Sequence, residues 1–255
     1  MEHPWKSRAQ RLRWGLGVAS ATAVVALGIA WIGGATASAP PRAPAGAAPT
    51  GEPAEADVAE SPPPATGVGR DPLTPSELDR ARAAALDATL RAGATDVTGA
   101  AGPEYLSFEL VDAKAADPAE ARRAAVYFYD YKTDTLIKRV VNLRTGAVEG
   151  TFTAAGRQPP PSDKERERAF ALFLDNGLSA DFKARYRQLT GQAFTSPDQV
   201  EVTATTYVAR PADTGAEQCG THRCVQFITQ VPDGPFIDIT DIVVDLSGRT
   251  VARLR

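Results

Sequence analysis

Residues 140–148 read VVNLRTGAV, and residues 243–251 read VVDLSGRTV. Each stretch is an apolar strand, a polar break that carries Asn142 or Asp245, and a returning strand, which is the pattern of a β-hairpin. The recurrence of one signature late in each half of the folded region predicts two copies of one α+β unit. We therefore expect two related halves in tandem.

Each copy of this signature is preceded by a helix start. The stretches 74–77 (TPSE) and 162–165 (SDKE) match a capping box, in which the first hydroxyl and the fourth carboxylate satisfy backbone N–H groups of the first turn. Apolar residues then recur at helical spacing. They are Leu78, Ala81, Ala85, Leu86 and Leu90 in the first helix, and Phe170, Phe173 and Leu174 in the second. Gly93 and Asn176-Gly177 are expected to end these helices, and Ser179 to cap a further helix that runs to Gly191.

Strand-like segments follow the helices in both halves. The predicted strands are 105–111, 124–131, 136–143 and 147–152 in the first half, and 200–209, 225–231, 237–246 and 250–254 in the second. The simplest arrangement that buries both apolar faces lays a helix across one face of a four-stranded antiparallel sheet. The predicted fold class is therefore α+β, with a first domain at 71–160 and a second at 161–255.

An uncharged run from Trp14 to Ile32 precedes the folded part. As a helix it would be about 28 Å long, close to the thickness of a bilayer core. Basic residues before the run are typical of a cytoplasmic flank, and Ala35-Thr36-Ala37 suits cleavage by signal peptidase. Residues 1–37 are therefore predicted to be a cleaved signal peptide or a retained transmembrane anchor. In both cases the remainder would lie outside the cytoplasm, either secreted or attached to the cell membrane.

The segment 38–70 is rich in proline and alanine and contains almost no large apolar residue. Such a segment cannot bury enough surface to offset the entropy that is lost on ordering. We expect a disordered linker that holds the folded part away from the membrane.

The charge balance excludes one class of partner. The formal net charge is −3, and the part after the apolar run is more acidic because four basic residues and one acidic residue precede that run. Nucleic-acid binding needs a concentrated basic face, so no nucleic-acid partner is expected. Arginine outnumbers lysine and alanine is abundant, which fits a GC-rich bacterial genome.

Several blocks resemble a known family. The stretch 71–74 (DPLT), the VVNLRTGAV segment, the stretch 156–160 (GRQPP) and the helical pair 163–190 resemble the first of the paired small N-terminal domains of copper amine oxidases. The stretch 223–253, with Asp245-Leu246 and Val251, is similar to the second. The resemblance implies two cystatin-like domains in tandem, each non-catalytic, without the β-sandwich domain that carries the family's active site.

The chemistry of that family is missing from the sequence. Amine oxidases make their quinone cofactor from a tyrosine that follows an asparagine, and they bind copper through three histidines. None of the six tyrosines here follows an asparagine, and the sequence contains two histidines, His3 and His222. We therefore predict no enzymatic activity, no catalytic residue and no cofactor. The carboxylate pairs Asp130/Asp134 and Asp238/Asp241 are compatible with acid–base catalysis but are unspecific.

The most distinctive local cluster is the stretch 219–224 (CGTHRC). An oxidising compartment and an even number of cysteines favour a disulfide between Cys219 and Cys224. The alternative is a copper site formed by Cys219, His222 and Cys224, because Cu(I) accepts two or three soft ligands. If the disulfide forms, we expect His222 and Arg223 to be displayed at a rigid loop tip, where they could contact a partner.

Three tyrosines, Tyr127, Tyr129 and Tyr131, alternate along one predicted strand. They could form an exposed aromatic stripe that contacts a partner. Alternatively, one face of the strand is the core and the other is covered by a neighbouring element.

These observations favour a non-catalytic interaction module that faces the cell envelope or the medium and holds a protein partner. The first alternative is copper binding or delivery through the Cys219–His222–Cys224 loop. The second is a small-molecule enzyme with a pocket inside an α+β cone. Fold resemblance alone licenses none of these activities.

Overall fold

A computed structural model describes residues 65–112 and 122–255, which belong to one compact unit. The apolar run 14–32, the cleavage site after Ala37 and nearly all of the linker 38–70 lie outside the described residues. Within the described part of the chain, no helix is both long and apolar enough to span a bilayer.

The first half is a helix laid on a four-stranded antiparallel meander. Helix α1 (Pro75–Ala85) and the short α2 (Ala88–Gly93) precede the strands β1 (Glu104–Val111), β2 (Arg123–Asp130), β3 (Thr135–Asn142) and β4 (Val148–Ala155). The strands pair in sequence order, and α1 lies on β2 and β3. Ala81 and Ala85 of α1 pack against Val126 and Phe128 of β2 in the core of this half.

The single helix predicted after Thr74 is in fact two. Asp87 begins α2, because its carboxylate accepts a hydrogen bond from the amide of Leu90 at 2.8 Å. Arg139 of β3 stabilises the end of α1, since its guanidinium donates to the carbonyl of Ala85 at 2.9 Å. The sequence pattern missed this break because Leu86 and Leu90 continue the apolar spacing across it.

The second half repeats the plan with longer helices. It contains α3 (Asp163–Asp175), α4 (Ser179–Thr190), a 3-10 turn (Pro197–Gln199), and the strands β5 (Glu201–Tyr207), β6 (Cys224–Gln230), β7 (Phe236–Ile237), β8 (Ile242–Asp245) and β9 (Thr250–Arg253). The sheet order is β5-β6-β8-β9, and β7 also pairs with β6. An aromatic core forms where Phe170 and Phe173 of α3 meet Phe182 of α4 and Phe227 of β6.

Two expectations for this half are corrected. The sheet has five strands rather than four, because the predicted strand 237–246 is interrupted. There, Asp238 accepts hydrogen bonds from the amide and hydroxyl of Thr240, and this local turn separates β7 from β8. Ser179 is the first residue of α4 rather than its cap, and its hydroxyl donates instead to the carbonyls of Leu174 and Asn176.

The repeated signature folds as predicted in both halves. The amide of Leu143 donates to the carbonyl of Arg122 at 3.0 Å, and the amide of Leu246 donates to the carbonyl of Arg223 at 2.9 Å. Asn142 then accepts from backbone amides of the turn that follows, and Asp245 does the same. The predicted mixture of helices with antiparallel sheet is confirmed, with one four-stranded sheet and a second sheet beside it. The domain limits at 71–160 and 161–255 stay predictions.

Candidate binding sites

The loop before β6 is closed by the predicted disulfide between Cys219 and Cys224. Both cysteines are buried in a small apolar cluster with Tyr207, Ala216 and Val243. Because both sulfur atoms are used in this bond, neither is a thiolate that could bind copper. In the described ranges, no group of three or more His, Cys, Asp or Glu side chains could hold a metal ion.

His222 lies at the edge of this loop and remains partly exposed. Its Nδ1 atom is 2.8 Å from Oδ2 of Asp245, the polar residue of the repeated signature. The hydrogen bond to the carboxylate of Asp245 raises the pKa of His222, and it outweighs burial, which acts in the opposite direction. A histidine held in this way is a fixed, polar part of the surface, and partner contact at His222 stays a prediction.

Arg223 does not lie at a loop tip, which corrects the expectation from sequence. Its side chain is fully buried, with 0% exposure. The guanidinium turns inward and forms a two-pronged ion pair with Glu165, in which Nε donates to Oε1 at 2.5 Å and Nη2 donates to Oε2 at 2.8 Å. A further hydrogen bond from Nη1 reaches the carbonyl of Pro159 at 3.1 Å. Arg223 is therefore unavailable to a partner in the folded chain.

The three tyrosines do not form one exposed stripe. Tyr127 remains partly exposed, and Lys138 lies 5.1 Å from the centre of its ring. Tyr129 is fully buried beneath the guanidinium of Arg223, which lies 5.0 Å from its ring centre. Tyr131 packs against the core of the second half, and its hydroxyl donates to Glu165 at 2.6 Å. Tyr129 and Tyr131 thus join the two halves, and partner contact at Tyr127 stays a prediction.

The carboxylates considered for catalysis accept hydrogen bonds from backbone amides and from side-chain hydroxyl groups. Asp130 accepts hydrogen bonds from the amides of Thr95 and Lys132, so it holds the turn after β2. Asp134 accepts from the hydroxyls of Ser247 and Tyr129. Asp238 accepts from Thr240, as described above. The fourth carboxylate of these pairs, Asp241, lies 3.2 Å from Nε of Arg253.

A second buried ion pair, which the sequence analysis missed, is equivalent to the first. In the first half, Arg122 donates from Nε to Oε1 of Glu77 at 3.1 Å and from Nη2 to Oε2 at 3.0 Å. Glu77 and Glu165 are both the third residue of a capped helix, and Arg122 and Arg223 both directly precede the second strand of their sheet. We call each of these pairs a Glu–Arg clamp.

The sequence does carry a signal for this equivalence. Residues 77–87 read ELDRARAAALD, and residues 165–175 read ERERAFALFLD. The two stretches share Glu at the first position, Arg-Ala at the fourth and fifth, Ala at the seventh, and Leu-Asp at the end. Alignment of the helices, in addition to the hairpins, would have paired Glu77 with Glu165. The arginine partners lie too far along the chain for any spacing rule to identify them.

The two clamps differ in what covers them. The second clamp is covered by the first half, since Tyr131 donates to Glu165 and Val97 enters the core of the second half. Nearby, Ser247 donates its hydroxyl to Asp134, and Arg249 donates to the carbonyl of Thr98 at 3.0 Å. The second clamp therefore lies inside an internal interface between the two halves.

The first clamp lies instead beside an open groove with a volume of about 820 Å³. Ala81, Val141 and Leu143 contribute buried apolar surface to its lining, and the exposed side chains of Arg80 and Arg144 lie on its rim. The other lining residues are Thr66, Gly67, Val68, Gly69, Glu77, Arg122, Asn142, Thr145 and Gly146. We call this feature the first-half groove.

The groove is electrostatically positive at its rim. Burial acts against ionisation of Glu77, but hydrogen bonds from Arg122 and from the amides of Thr74 and Gly67 outweigh it and lower the pKa of this carboxyl group. Glu77 is thus a charged partner of Arg122 at neutral pH. Arg80 and Arg144 add two further positive charges, which makes the rim suited to an anionic group.

Comparison with known proteins gives no assignment by sequence, because no protein-family model and no curated protein matches the chain. Solved structures show a distant similarity. One of them is the crystal structure of a copper-containing benzylamine oxidase from Hansenula polymorpha, with 12% sequence identity and a TM-score of 0.42. The similarity covers 74% of this chain and 30% of the oxidase chain, so this chain spans less than a third of that protein.

Proposed function

We propose that this chain is a non-catalytic protein-interaction module that works outside the cytoplasm, either secreted or held at the membrane. Its two halves would be relatives of the cystatin-like N-terminal domains of copper amine oxidases. The observation that carries the proposal is the first-half groove. In the second half, the equivalent surface binds Val97 and Tyr131 of the first half, whereas in the first half no such pair of side chains from the described residues covers it.

The groove is better suited to binding than to catalysis. Its buried floor is apolar, which favours a side chain from a partner. Of the described residues that line it, Glu77 is the one titratable carboxylate, and its lowered pKa keeps it ionised. A general acid would need a raised pKa near the working pH, and a nucleophile would need an adjacent base. Neither arrangement is present among those lining residues.

The copper alternative is less well supported by the site. Copper binding through Cys219, His222 and Cys224 would require reduction of a disulfide whose sulfur atoms lie in an apolar cluster. It would also require His222 to give up its hydrogen bond to Asp245. The protein-interaction proposal requires neither rearrangement.

Photo-cross-linking in the full-length chain tests the proposal. The exposed lining residue Thr145 is replaced by p-benzoylphenylalanine in the producing cells, and Arg187 on the far helix α4 is replaced in the same way as a matched control. We expect a discrete cross-linked species that contains a second, different protein with Thr145→p-benzoylphenylalanine and none with the control. Cross-links that lead only to residues 1–64 of the same chain, or to another copy of it, would contradict the proposal.

A further inference from the structure

We infer that the first-half groove binds a loop of the partner protein that carries an apolar side chain, aromatic or aliphatic, beside a carboxylate. This inference rests on the proposed function and specifies the chemistry of its partner. The template lies within the chain itself, because the second half already binds Val97 from the loop before β1, and Tyr131 and Asp134 from the turn between β2 and β3.

The apolar part of the template consists of Val97 and Tyr131. Val97 is 2% exposed and belongs to the core cluster of the second half, where it joins Ala169, Val244 and Leu246. The equivalent residues of the first half, Ala81, Val141 and Leu143, line the groove without such a neighbour among the groove-lining residues. Burial of one apolar side chain of this size on that floor would be favourable.

The anionic part of the template is Asp134, whose carboxylate accepts a hydrogen bond from the hydroxyl of Ser247. Ser247 directly follows Leu246 of the repeated signature, and Arg144 directly follows Leu143, so the two residues are equivalent. The first half thus presents a guanidinium where the second half presents a hydroxyl. A carboxylate placed there would form a charge-assisted hydrogen bond, which is stronger than the bond to Ser247. Arg80 on the same rim adds to the attraction.

A hydroxyl group on the partner side chain is not required. In the second half, the hydroxyl of Tyr131 occupies one acceptor position of Glu165. In the first half, the amide of Gly67 already bonds to Glu77, and a side chain at Gly67 would lie only 2.7 Å from Nη2 of Arg122. The amide of Gly67 thus supplies Glu77 with a hydrogen bond of the kind that the phenol gives Glu165, and the apolar floor and the arginines are left to select the partner.

A second copy of this chain is less suited to bind in the first-half groove than a different protein is. The segment before β5 in the second half corresponds to the Val97 loop. Its aromatic residue, Phe194, packs in its own half against Phe182 and Tyr186, with ring centres 5.1 and 5.3 Å apart. The second half therefore keeps its equivalent apolar group in its own core and does not offer it to another molecule.

The probe for the test is a peptide of residues 127–138, which contains Tyr131 and Asp134 and is closed by cysteines added at both ends. In the intact chain the second-half site is already covered, so the labelled peptide should bind to the first-half groove. Fluorescence anisotropy measures its affinity for the full-length chain. We expect Arg144→Glu to weaken binding at least tenfold, and the peptide change Asp134→Lys to weaken it similarly.

The test is completed by exchange of the two charges between the peptide and the protein. The Asp134→Lys peptide should recover affinity toward the Arg144→Glu protein, to within a few-fold of the original pair. Arg187→Glu, far from the groove, should leave affinity unchanged, and thermal unfolding verifies that each variant is folded. No detectable binding at millimolar peptide, or binding that is indifferent to Arg144→Glu, would overturn the inference.

The two experiments separate the two claims. A partner cross-linked at Thr145 together with a peptide that does not bind would reject the loop chemistry and leave the interaction module standing. A peptide that binds with the expected charge dependence, but no protein cross-linked at Thr145, would reject the proposed function.

Discussion

Arg223 and Glu165 form a two-pronged ion pair in which both side chains are fully buried, and this pair lies where the two halves of the chain meet. Arg122 and Glu77 form its counterpart in the first half, with side-chain exposures of 7% and 0%. Removal of one member of such a pair leaves an uncompensated charge in the protein interior. Single substitutions in either clamp should therefore lower the free energy of unfolding strongly.

Substitution of Arg223 by methionine should lower the free energy of unfolding by about 3–5 kcal/mol, because Glu165 would lose its buried counter-ion. Urea denaturation followed by circular dichroism measures the loss. The double variant Glu165→Gln/Arg223→Met should recover part of it. The exposed control Arg187→Met should change stability by no more than about 0.5 kcal/mol. A loss below about 1 kcal/mol for Arg223→Met would show that the pair is not buried as described.

Tyr131→Phe should destabilise the chain by about 1.5 kcal/mol, since it removes a hydrogen bond to a charged acceptor while the ring continues to fill its place. The matched control is Tyr127→Phe on the same chain segment, where the phenol bonds to Glu109 at the surface. That control should fall within about 0.5 kcal/mol of the parent. Equal effects for the two variants would argue against the position of Tyr131 at the internal interface.

The His222–Asp245 contact should make stability depend on pH. The pKa of His222 is raised in the folded chain, so the folded state binds its proton more tightly than the unfolded state does. This stabilisation is fully present below the unfolded pKa of about 6.5, and it is lost as the pH rises through the folded pKa. The stability difference between the parent and Asp245→Asn should therefore be larger at acidic pH than at alkaline pH.

Urea denaturation of these two proteins at several pH values measures that difference. NMR titration of the His222 ring should show its pKa fall in Asp245→Asn. An unchanged titration would mean that the contact does not persist in solution.

Loss of the disulfide should cost about 2 kcal/mol by the chain-entropy estimate for so short a loop. The variant Cys219→Ala/Cys224→Ala is compared with the parent by urea denaturation under non-reducing conditions. The second sheet should survive, because the bond closes only the loop before β6 while β5, β8 and β9 hold their positions by hydrogen bonding. Complete unfolding of the variant at room temperature would contradict this limited role.

Local patterns predicted much of the fold. The capping boxes at Thr74 and Ser162, the hairpins that carry Asn142 and Asp245, and the disulfide all depend on residues within a few positions of each other. The predictions failed where distant residues decide the outcome. Arg223 was expected at a rigid loop tip because the disulfide closes the loop around it. Its carboxylate partner is Glu165, however, in a helix that precedes it by several elements.

The tyrosines show the same limit. Alternation along β2 predicts that successive side chains lie on opposite faces, but it cannot tell what covers the second face. In the structure, the second half covers Tyr129 and Tyr131 and leaves Tyr127 partly exposed. The first-half groove could not be predicted from the sequence either. It was recognised as a binding site only by comparison of the two folded halves.

The contribution of Val97 and Tyr131 to the opposite core has a consequence for biosynthesis. A growing polypeptide emerges N-terminal part first and tends to fold domain by domain. The first half, which is synthesised earlier, also contributes Val97 and Tyr131 to the core of the second half. The second half would therefore find these residues already in place as it leaves the ribosome. If the order of the two halves in the gene were reversed, the second half would be synthesised before the residues that complete its core.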